Sequence, residues 1–265
     1  MLGSAKIYGL FSIMVGLLLV SVFSFPAMAA HPLITDDTAT QGKGKFQIEF
    51  NSEFTSDKDT VEEVTTRQKG GEVSTIFSYG MTDRLDLVIG LPYQWSMVKE
   101  NDEISSRENG LSDLSVEMKW RFWETKGLSF ALKPGVTFPT GNDESGLGTG
   151  KVTGSFHFIT TAEIEPWAFH FNAGYMRNEN KLDERKDLWH LSLAAEVEVL
   201  KDLKLVGNLG VERSPDRHSN RHPSFILGGM IYSITEWLDV DLGIKGGLND
   251  VETDFTFLAG LAVRF

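Results

Sequence analysis

The feature that most constrains this chain is an alternation of apolar and polar residues at every second position. Between Asp113 and Phe122, every even-numbered residue is apolar and every odd-numbered residue is polar or charged. The same pattern fills the segment from Leu238 to Lys245 and recurs along the chain. Because successive side chains of a strand point to opposite faces, this period predicts strands with one apolar and one polar face. No sustained helical period follows the first 29 residues.

Twelve such runs predict twelve strands. They lie at 45–54, 70–79, 84–95, 111–122, 128–138, 152–164, 167–176, 188–199, 203–211, 223–233, 237–246 and 253–265. Most are 10 to 13 residues long, which suits a tilted strand crossing a bilayer (about 9–11 residues) better than a soluble sheet (about 5–6).

The connections between these runs alternate in length. Short turns alternate with longer polar loops at 55–69, 96–110, 139–151, 177–187, 212–222 and 247–252. This arrangement is typical of outer-membrane barrels, with turns in the periplasm and loops outside the cell. The sequence therefore predicts an all-β fold, a twelve-stranded antiparallel transmembrane β-barrel over residues 45–265, with both termini periplasmic and the long loops extracellular.

The first 29 residues predict a cleaved signal peptide, so the mature chain is expected to be exported, and the barrel pattern places it in the outer membrane. Lys6 precedes an apolar run from Ile7 to Phe23, and Ala27-Met28-Ala29 supplies a small-residue cleavage pattern, with Ala30 as a second cleavage position. An uncleaved membrane anchor is the alternative. Of the 25 Lys and Arg, only Lys6 lies in this part, which leaves 24 basic against 37 acidic residues. That balance argues against nucleic-acid binding, and the absence of Cys excludes disulfides.

Aromatic residues are placed at both ends of the predicted strands. Trp120, Trp123, Trp167 and Trp237 lie beside short turns, whereas Trp95 and Trp189 lie at the long-loop ends. This predicts two aromatic girdles, one at each bilayer interface. Two alternatives stay open: aromatics that only mark sheet edges, and a soluble β-sandwich. The barrel is favoured because the apolar face carries almost no charge and because lipid tolerates no open sheet edge.

The polar face would line the lumen and carries charges of both signs. The predicted lumen-lining residues are Glu49, Glu117, Lys119, Arg121, Lys133, His157, His170, His190, Glu196, Glu198, Asp239, Asp241, Lys245 and Arg264. They support two interpretations that can coexist. One is a charge network that fills and stiffens the lumen; the other is a narrow polar path whose charges select solutes.

Residues 30–44 precede the first strand and predict a periplasmic N-terminal segment. It could enter the barrel mouth as a plug, with Asp36 and Asp37 facing lumen cations such as Arg121 or Arg264. The alternative is a mobile tail, as is usual for chain ends.

One arrangement suggests catalysis. His190-Leu191-Ser192 places an imidazole and a hydroxyl on the same strand face, as in outer-membrane phospholipase. Leu191 and Leu193 would take the lipid side, so both polar groups would point inward, away from lipid, and no enzyme activity is predicted. No metal or cofactor is predicted either. His218 and His222 share a loop with three Arg, which disfavours a cation and could instead contact lipopolysaccharide phosphates.

A resemblance to a known family is carried by His31-Pro32-Leu33-Ile34-Thr35-Asp36-Asp37-Thr38 and by Gln41-Gly42-Lys43-Gly44. Further similar segments are Met81-Thr82-Asp83-Arg84-Leu85-Asp86-Leu87, Lys133-Pro134-Gly135-Val136-Thr137-Phe138-Pro139-Thr140-Gly141 and Thr235-Glu236-Trp237-Leu238-Asp239-Val240. The chain resembles the meta-pathway phenol-degradation family of outer-membrane transporters, whose members often carry Arg in place of His31. The resemblance implies an outer-membrane barrel with an uptake role, often encoded near aromatic-catabolism genes, and it supplies no catalytic residues to assign in this chain.

These observations together predict a barrel for passive uptake of small solutes, which could be hydrophobic or aromatic. The alternatives are a non-conducting structural barrel with a closed lumen and an outer-membrane phospholipase. The predicted partners are outer-membrane lipid, lipopolysaccharide, the solute, and the barrel-assembly machinery, which would recognise the C-terminal strand ending at Phe265.

Overall fold

The computed structural model describes residues 31–61 and 64–265, and nearly all of its regular structure is β. The predicted signal peptide at 1–29 lies outside these residues. Within the described ranges, no helix is long and apolar enough to span a bilayer. The strands are β1 (Phe46–Val61), β2 (Val64–Thr82), β3 (Leu85–Glu100), β4 (Glu103–Leu111), β5 (Leu114–Thr125), β6 (Leu128–Phe138), β7 (Thr153–Ile164), β8 (Trp167–Arg177), β9 (Asp187–Leu200), β10 (Leu203–Glu212), β11 (Ser224–Thr235), β12 (Leu238–Gly247) and β13 (Phe255–Arg264).

The strands form one closed antiparallel sheet. Each pairs with its neighbour along the chain, except that β3 pairs with both β4 and β5. The sheet closes where β1 pairs with β13, from Gln47 opposite Arg264 to Ser56 opposite Phe255. Phe46 and Phe265 extend this seam by exchanging backbone hydrogen bonds of 3.1 and 2.9 Å. β4 pairs with the outer part of β3 and β5 with its inner part, so β4 and β5 together occupy one strand position and the barrel has twelve strands, as predicted.

Two predicted long loops are paired strands instead. The region 55–69 continues β1 to Val61 and starts β2 at Val64, while 96–110 contains the end of β3 and all of β4. The second hairpin turns at Asn101 and Asp102, whose φ angles of 48° and 69° suit the tight turn that joins right-twisted strands. These segments lack the apolar face by which membrane-spanning strands are predicted. Their backbones can nevertheless form the hydrogen bonds of a hairpin, because strand pairing does not require lipid around the side chains.

The apolar residues of the alternation face outward. In β8, Trp167, Phe169 and Phe171 are exposed, while the intervening His170 and Asn172 are buried. Bulky apolar side chains exposed in this way need lipid around them, because a soluble protein rarely shows so large an apolar surface.

The predicted girdle residues differ in exposure. Trp120, Trp123, Trp167 and Trp237 are 40–54% exposed. The other two are half-buried: the ring of Trp95 lies 5.7 Å from that of Phe54, and the ring of Trp189 lies 5.0 Å from His222.

The interior is not uniformly polar. Among the buried apolar side chains of the described residues, five form two neighbouring clusters on β10, β11 and β13 and are called here the apolar wall: Val206, Phe225, Leu227, Ile231 and Leu258. In β11 and β13 both faces are therefore apolar over part of their length, as expected where a strand is covered on both sides. The predicted polar lumen face is incomplete on this side of the barrel.

The outward orientation of β12 can be tested at Leu242, which is 48% exposed and pairs with Met230 and Ala259. Replacing Leu242 with Arg should destabilise the folded barrel by about 2–4 kcal/mol, because a charge near the bilayer centre is costly. Urea unfolding in liposomes, with Leu242→Ala as the uncharged control, measures this effect. If Leu242→Arg and Leu242→Ala were equally stable, the side chain at position 242 would face water rather than lipid.

Candidate functional site in the barrel interior

Residues 31–44, called here the N-terminal segment, lie inside the barrel rather than below it. Pro32, Thr35, Asp37 and Thr38 are each at most 2% exposed. The segment contacts strands on opposite sides of the interior, from β12 and β10 to β5 and β3. Its position is therefore fixed by the barrel walls, whereas its effect as a plug stays a prediction.

The first part of the segment packs on the apolar wall. Leu33 contacts both buried clusters of that wall. Pro32 packs against two glycines, Gly229 and Gly243. A Cβ atom at either position would lie only 2.7 Å from the proline ring. Small residues at these positions let the proline approach the sheet closely. Full burial of a leucine side chain contributes roughly 1.5–3 kcal/mol. Leu33 is partly buried, so its contact stabilises the segment by a fraction of that amount.

Asn208 of β10 binds the backbone of the segment directly. Its Oδ1 accepts hydrogen bonds from the backbone N–H groups of Ile34 (2.8 Å) and Thr35 (3.1 Å). Its Nδ2 donates to Oγ1 of Thr35 at 2.7 Å. On the neighbouring wall, Nδ1 of His31 lies 2.6 Å from Oδ1 of Asp241. These contacts satisfy polar groups that would otherwise be buried without partners.

Two carboxylates of the segment bind two lysines of the barrel wall. Lys119 Nζ lies 2.8 Å from Oδ1 of Asp36 and 2.9 Å from Oδ1 of Asp37. Lys133 Nζ lies 3.1 Å from Oδ2 of Asp36 and 3.0 Å from Oε2 of Glu117. These five residues are called here the lysine–carboxylate cluster. It ties the segment to β5 and β6.

The partners of Asp36 and Asp37 differ from the prediction, which named Arg121 or Arg264. Arg264 instead pairs with Asp239, and Arg121 pairs with Glu124 at 3.4 Å. Both arginines lie near the turn end of their strands, whereas the segment passes the lysines deeper in the barrel.

The two acids of the segment differ in acidity. Burial would raise the pKa of the Asp36 carboxyl, but Lys119 and Lys133 together outweigh burial and hold that pKa well below its usual range. Burial raises the pKa of Asp37 to about 6, with Lys119 opposing the rise and the neighbouring Asp36 adding to it. Asp36 is therefore the permanently ionised anchor of the cluster.

A chain of buried polar contacts extends from Thr38 along the wall formed by β7–β10. The backbone N–H of Thr38 donates to Oγ1 of Thr161 at 3.0 Å, and that oxygen lies 3.0 Å from Nδ1 of His170. His170 Nε2 lies 3.6 Å from Glu196 Oε1, and Lys204 Nζ donates to Glu196 Oε2 at 3.0 Å. His170 is fully buried, which suits a structural role below the segment.

The segment leaves the interior beside β2 and β3. The backbone N–H of Gln41 donates to Oδ2 of Asp86 at 2.9 Å, and that of Gly44 donates to the carbonyl of Gly80 at 2.8 Å. A Cβ at Gly80 would lie 1.8 Å from the carbonyl oxygen of Gly42, so only glycine allows this crossing. The chain then continues into β1.

Two polar cavities border β1–β3, and the first of them lies beside the segment. The first has a volume of about 390 Å³ and lies between the segment and the inner faces of β1, β2, β3, β5 and β6. The second, of about 350 Å³, is bounded by the outer parts of β1–β3 and by residues 145–147. Glu72 borders both cavities. Both cavities therefore lie along the inner faces of β1–β3.

The remaining predicted lumen residues are dispersed around the interior. Glu49 accepts hydrogen bonds from Gln47 and Asn51 (2.6 and 3.3 Å), and Lys245 pairs with Glu252 at 2.9 Å. His157 is half-buried, and Glu198 is exposed near the end of β9.

The predicted histidine and serine pair does not form a catalytic arrangement. His190 Nδ1 lies 3.4 Å from Glu212 Oε2, while the buried Oγ of Ser192 has no hydrogen-bond partner among the described residues. A nucleophile and its base need a hydrogen bond between them. Across residues 31–61 and 64–265, no group of three or more potential ligands is arranged to hold a metal ion.

The contacts of Leu33 with the apolar wall could not be read from alternation alone. The sequence nevertheless contains an indication of this contact. Phe225 and Leu227 in β11 and Leu258 in β13 lie at the alternate positions that face the lumen, where most other strands carry polar residues. Apolar residues on a presumed lumen face indicate that something covers them.

The closed barrel with an apolar exterior and a charged interior defines an outer-membrane β-barrel protein. Residues 33–265 match the family described as "Putative MetA-pathway of phenol degradation", and the chain belongs to this family. This confirms the resemblance found in the sequence. A comparison with curated proteins finds no match.

Solved structures share the fold. The outer membrane channel from Pseudomonas putida F1 is similar with a TM-score of 0.68 and 14% identity, covering 86% of this chain and 98% of that chain. The translocator domain of the autotransporter NalP from Neisseria meningitidis has a TM-score of 0.55 and 10% identity, with coverages of 84% and 89%. A KdgM porin has a TM-score of 0.55 and 8% identity, with coverages of 83% and 99%.

The cluster's role in holding the segment can be tested by cysteine labelling, since the chain has no Cys of its own. Ala39→Cys places a probe at a position only 8% exposed. Adding Lys119→Met leaves the buried Asp37 without its cation, which costs roughly 3–5 kcal/mol. Maleimide labelling should therefore accelerate at least about tenfold.

The control variant is Lys245→Met, which also removes a lumen-facing lysine. It breaks the pair with Glu252, while the methionine side chain can keep an apolar contact with the Phe225 ring, which lies 5.4 Å from the lysine Nζ. Labelling that is equally slow in all backgrounds would mean that the cluster does not hold the segment.

Proposed function

We propose that this protein is an outer-membrane channel through which small solutes diffuse passively beside the N-terminal segment. The two cavities that share Glu72 carry this proposal, and together they are called here the passage. Along β1 the passage is bordered from Gln47, near the start of the strand, to Thr55 in its outer part. It therefore follows the inner wall over most of the height of the barrel.

The size and lining of the passage favour small and largely polar solutes. Ile76, Val88 and Pro92 are the apolar strand residues that border the first cavity. They offer some contact to an aromatic ring, whereas most neighbouring side chains are polar. The family description, which refers to phenol degradation, supports aromatic solutes as one class to test. The names of the Pseudomonas putida channel and the KdgM porin support the channel function by analogy of fold.

We also propose that residues 1–29 are removed on export, that both termini face the periplasm and that the long loops face outward. The outward loops would meet lipopolysaccharide, and the barrel-assembly machinery would recognise the strand that ends at Phe265. The short connections at the end of the barrel where β1 begins and β13 ends support this orientation.

The N-terminal segment would act as a plug that narrows the channel. Deleting residues 30–44 should raise single-channel conductance in planar bilayers several-fold, because the interior would then be open across its width. Heat-dependent mobility of the barrel in detergent gels provides the control for folding. Unchanged conductance would reject the plug, and silence of both proteins would favour a non-conducting structural barrel.

The contacts of His190 and Ser192 argue against a phospholipase, because His190 lies beside Glu212 and Ser192 Oγ forms no hydrogen bond with any described residue. We therefore expect no phospholipid hydrolysis by the purified protein, and no difference between it and Ser192→Ala. Release of fatty acid from mixed micelles measures this, with buried Thr161→Ala as a second hydroxyl variant. Turnover that disappears only in Ser192→Ala would contradict the proposal.

A further inference from the structure

The charges that border the first cavity are strongly unbalanced. Two lysines, Lys119 and Lys133, face six carboxylates. The carboxylates are Asp36, Asp37, Glu49, Glu72, Asp86 and Glu117. Glu53 adds a further carboxylate on the second cavity. A mobile ion in this space would meet an excess of negative charge.

Both lysines are already paired with carboxylates. Lys119 lies between Asp36 and Asp37, and Lys133 lies between Asp36 and Glu117, at N–O distances of 2.8–3.1 Å. The lysine side chains are 10% and 17% exposed. The N-terminal segment thus neutralises the positive charges that would attract an anion into the passage.

The other carboxylates, Glu49, Glu53, Glu72 and Asp86, form no ion pair within residues 31–61 and 64–265. Glu53 and Glu72 lie directly opposite each other on β1 and β2, where like charges repel, and Glu72 accepts a hydrogen bond of 2.7 Å from the neutral Gln94. Neither forms an ion pair with a residue in the described ranges. These acids therefore add negative potential along the length of the passage.

A second observation points to a ligand. Asp86 is only 2% exposed, and its Oδ1 has no hydrogen-bond partner among the described residues. The same holds for Oδ2 of Asp37, which is 1% exposed. Both residues border the first cavity. Buried carboxylate oxygens normally have partners, so these two are suited to a donor or a cation that enters the cavity.

We propose that the passage selects cationic and neutral polar solutes over anionic ones, and that the N-terminal segment sets this preference by masking Lys119 and Lys133. The inference rests on the proposed channel function. Fixed charges along a narrow path raise the local concentration of counter-ions and exclude ions of the same sign. Small protonated amines and monovalent metal ions are the cations that fit isolated carboxylates of this kind.

The reversal potential across a planar bilayer with a KCl gradient tests the proposal. The wild-type protein should favour K⁺ over Cl⁻. Asp36→Asn combined with Asp37→Asn should shift the permeability ratio several-fold towards Cl⁻, because the lysines lose their counter-charges. Adding Lys119→Gln and Lys133→Gln to that variant should restore the preference for K⁺. A merely loosened segment would not respond to the lysine substitutions in this way.

Glu53→Gln combined with Glu72→Gln should also lower the preference for K⁺ while leaving the segment's contacts intact. Asp102→Asn is the control, because this acid lies at the tip of the β3–β4 hairpin with its side chain 74% exposed. It should leave the ratio unchanged.

The outcomes separate the two proposals. A conducting wild type with no preference for K⁺, or lysine substitutions that restore nothing, would overturn the inference and leave the channel function standing. A silent wild type with a conducting 30–44 deletion would overturn the passage itself. Silence of the wild type and of that deletion would contradict the proposed function.

Discussion

The structure depends on the need to pair every backbone polar group in a lipid environment. Lipid offers no hydrogen bonds, so a membrane-spanning sheet must close on itself. The seam between β1 and β13 meets this requirement with ten residue pairs and with the reciprocal bonds of Phe46 and Phe265. In a closed barrel every strand has one face towards the lipid and one towards the lumen. The alternation of apolar and polar residues places the apolar side chains on the first face and most polar side chains on the second.

Closure also creates an interior that side chains alone do not fill. Twelve strands enclose more space than the eight-stranded barrels whose lumen is packed by side chains. The N-terminal segment crosses this space and occupies part of it, and its first part is held where the apolar wall offers Leu33 a surface to pack against. The wall formed by β1–β3, which is joined to β13 at the seam, offers mostly small, polar and acidic side chains to the first cavity. The position of the passage therefore follows from the uneven distribution of apolar residues inside the barrel.

Much of the fold could be predicted from the sequence, because alternation and strand length report directly on the two environments. The extensions of β1–β2 and β3–β4 could not, since a paired hairpin in water lacks the apolar face that marks a membrane strand. The partners of Asp36 and Asp37 could not be predicted either. Lys119 and Arg121 share a strand face, and only the depth at which the segment crosses the barrel selects the lysine.

The lysine–carboxylate cluster links the anchoring of the segment to the electrostatics of the passage. A buried ion pair often adds little net stability, because desolvating the two charges offsets their attraction. Leu33 and Asn208 already fix the first part of the segment without any charge. The cluster differs from these contacts in one respect: it places two ammonium groups on the border of the cavity and neutralises both. Under the proposed selectivity, any change that releases the segment also exposes these positive charges, so the width of the path and its charge preference would change together.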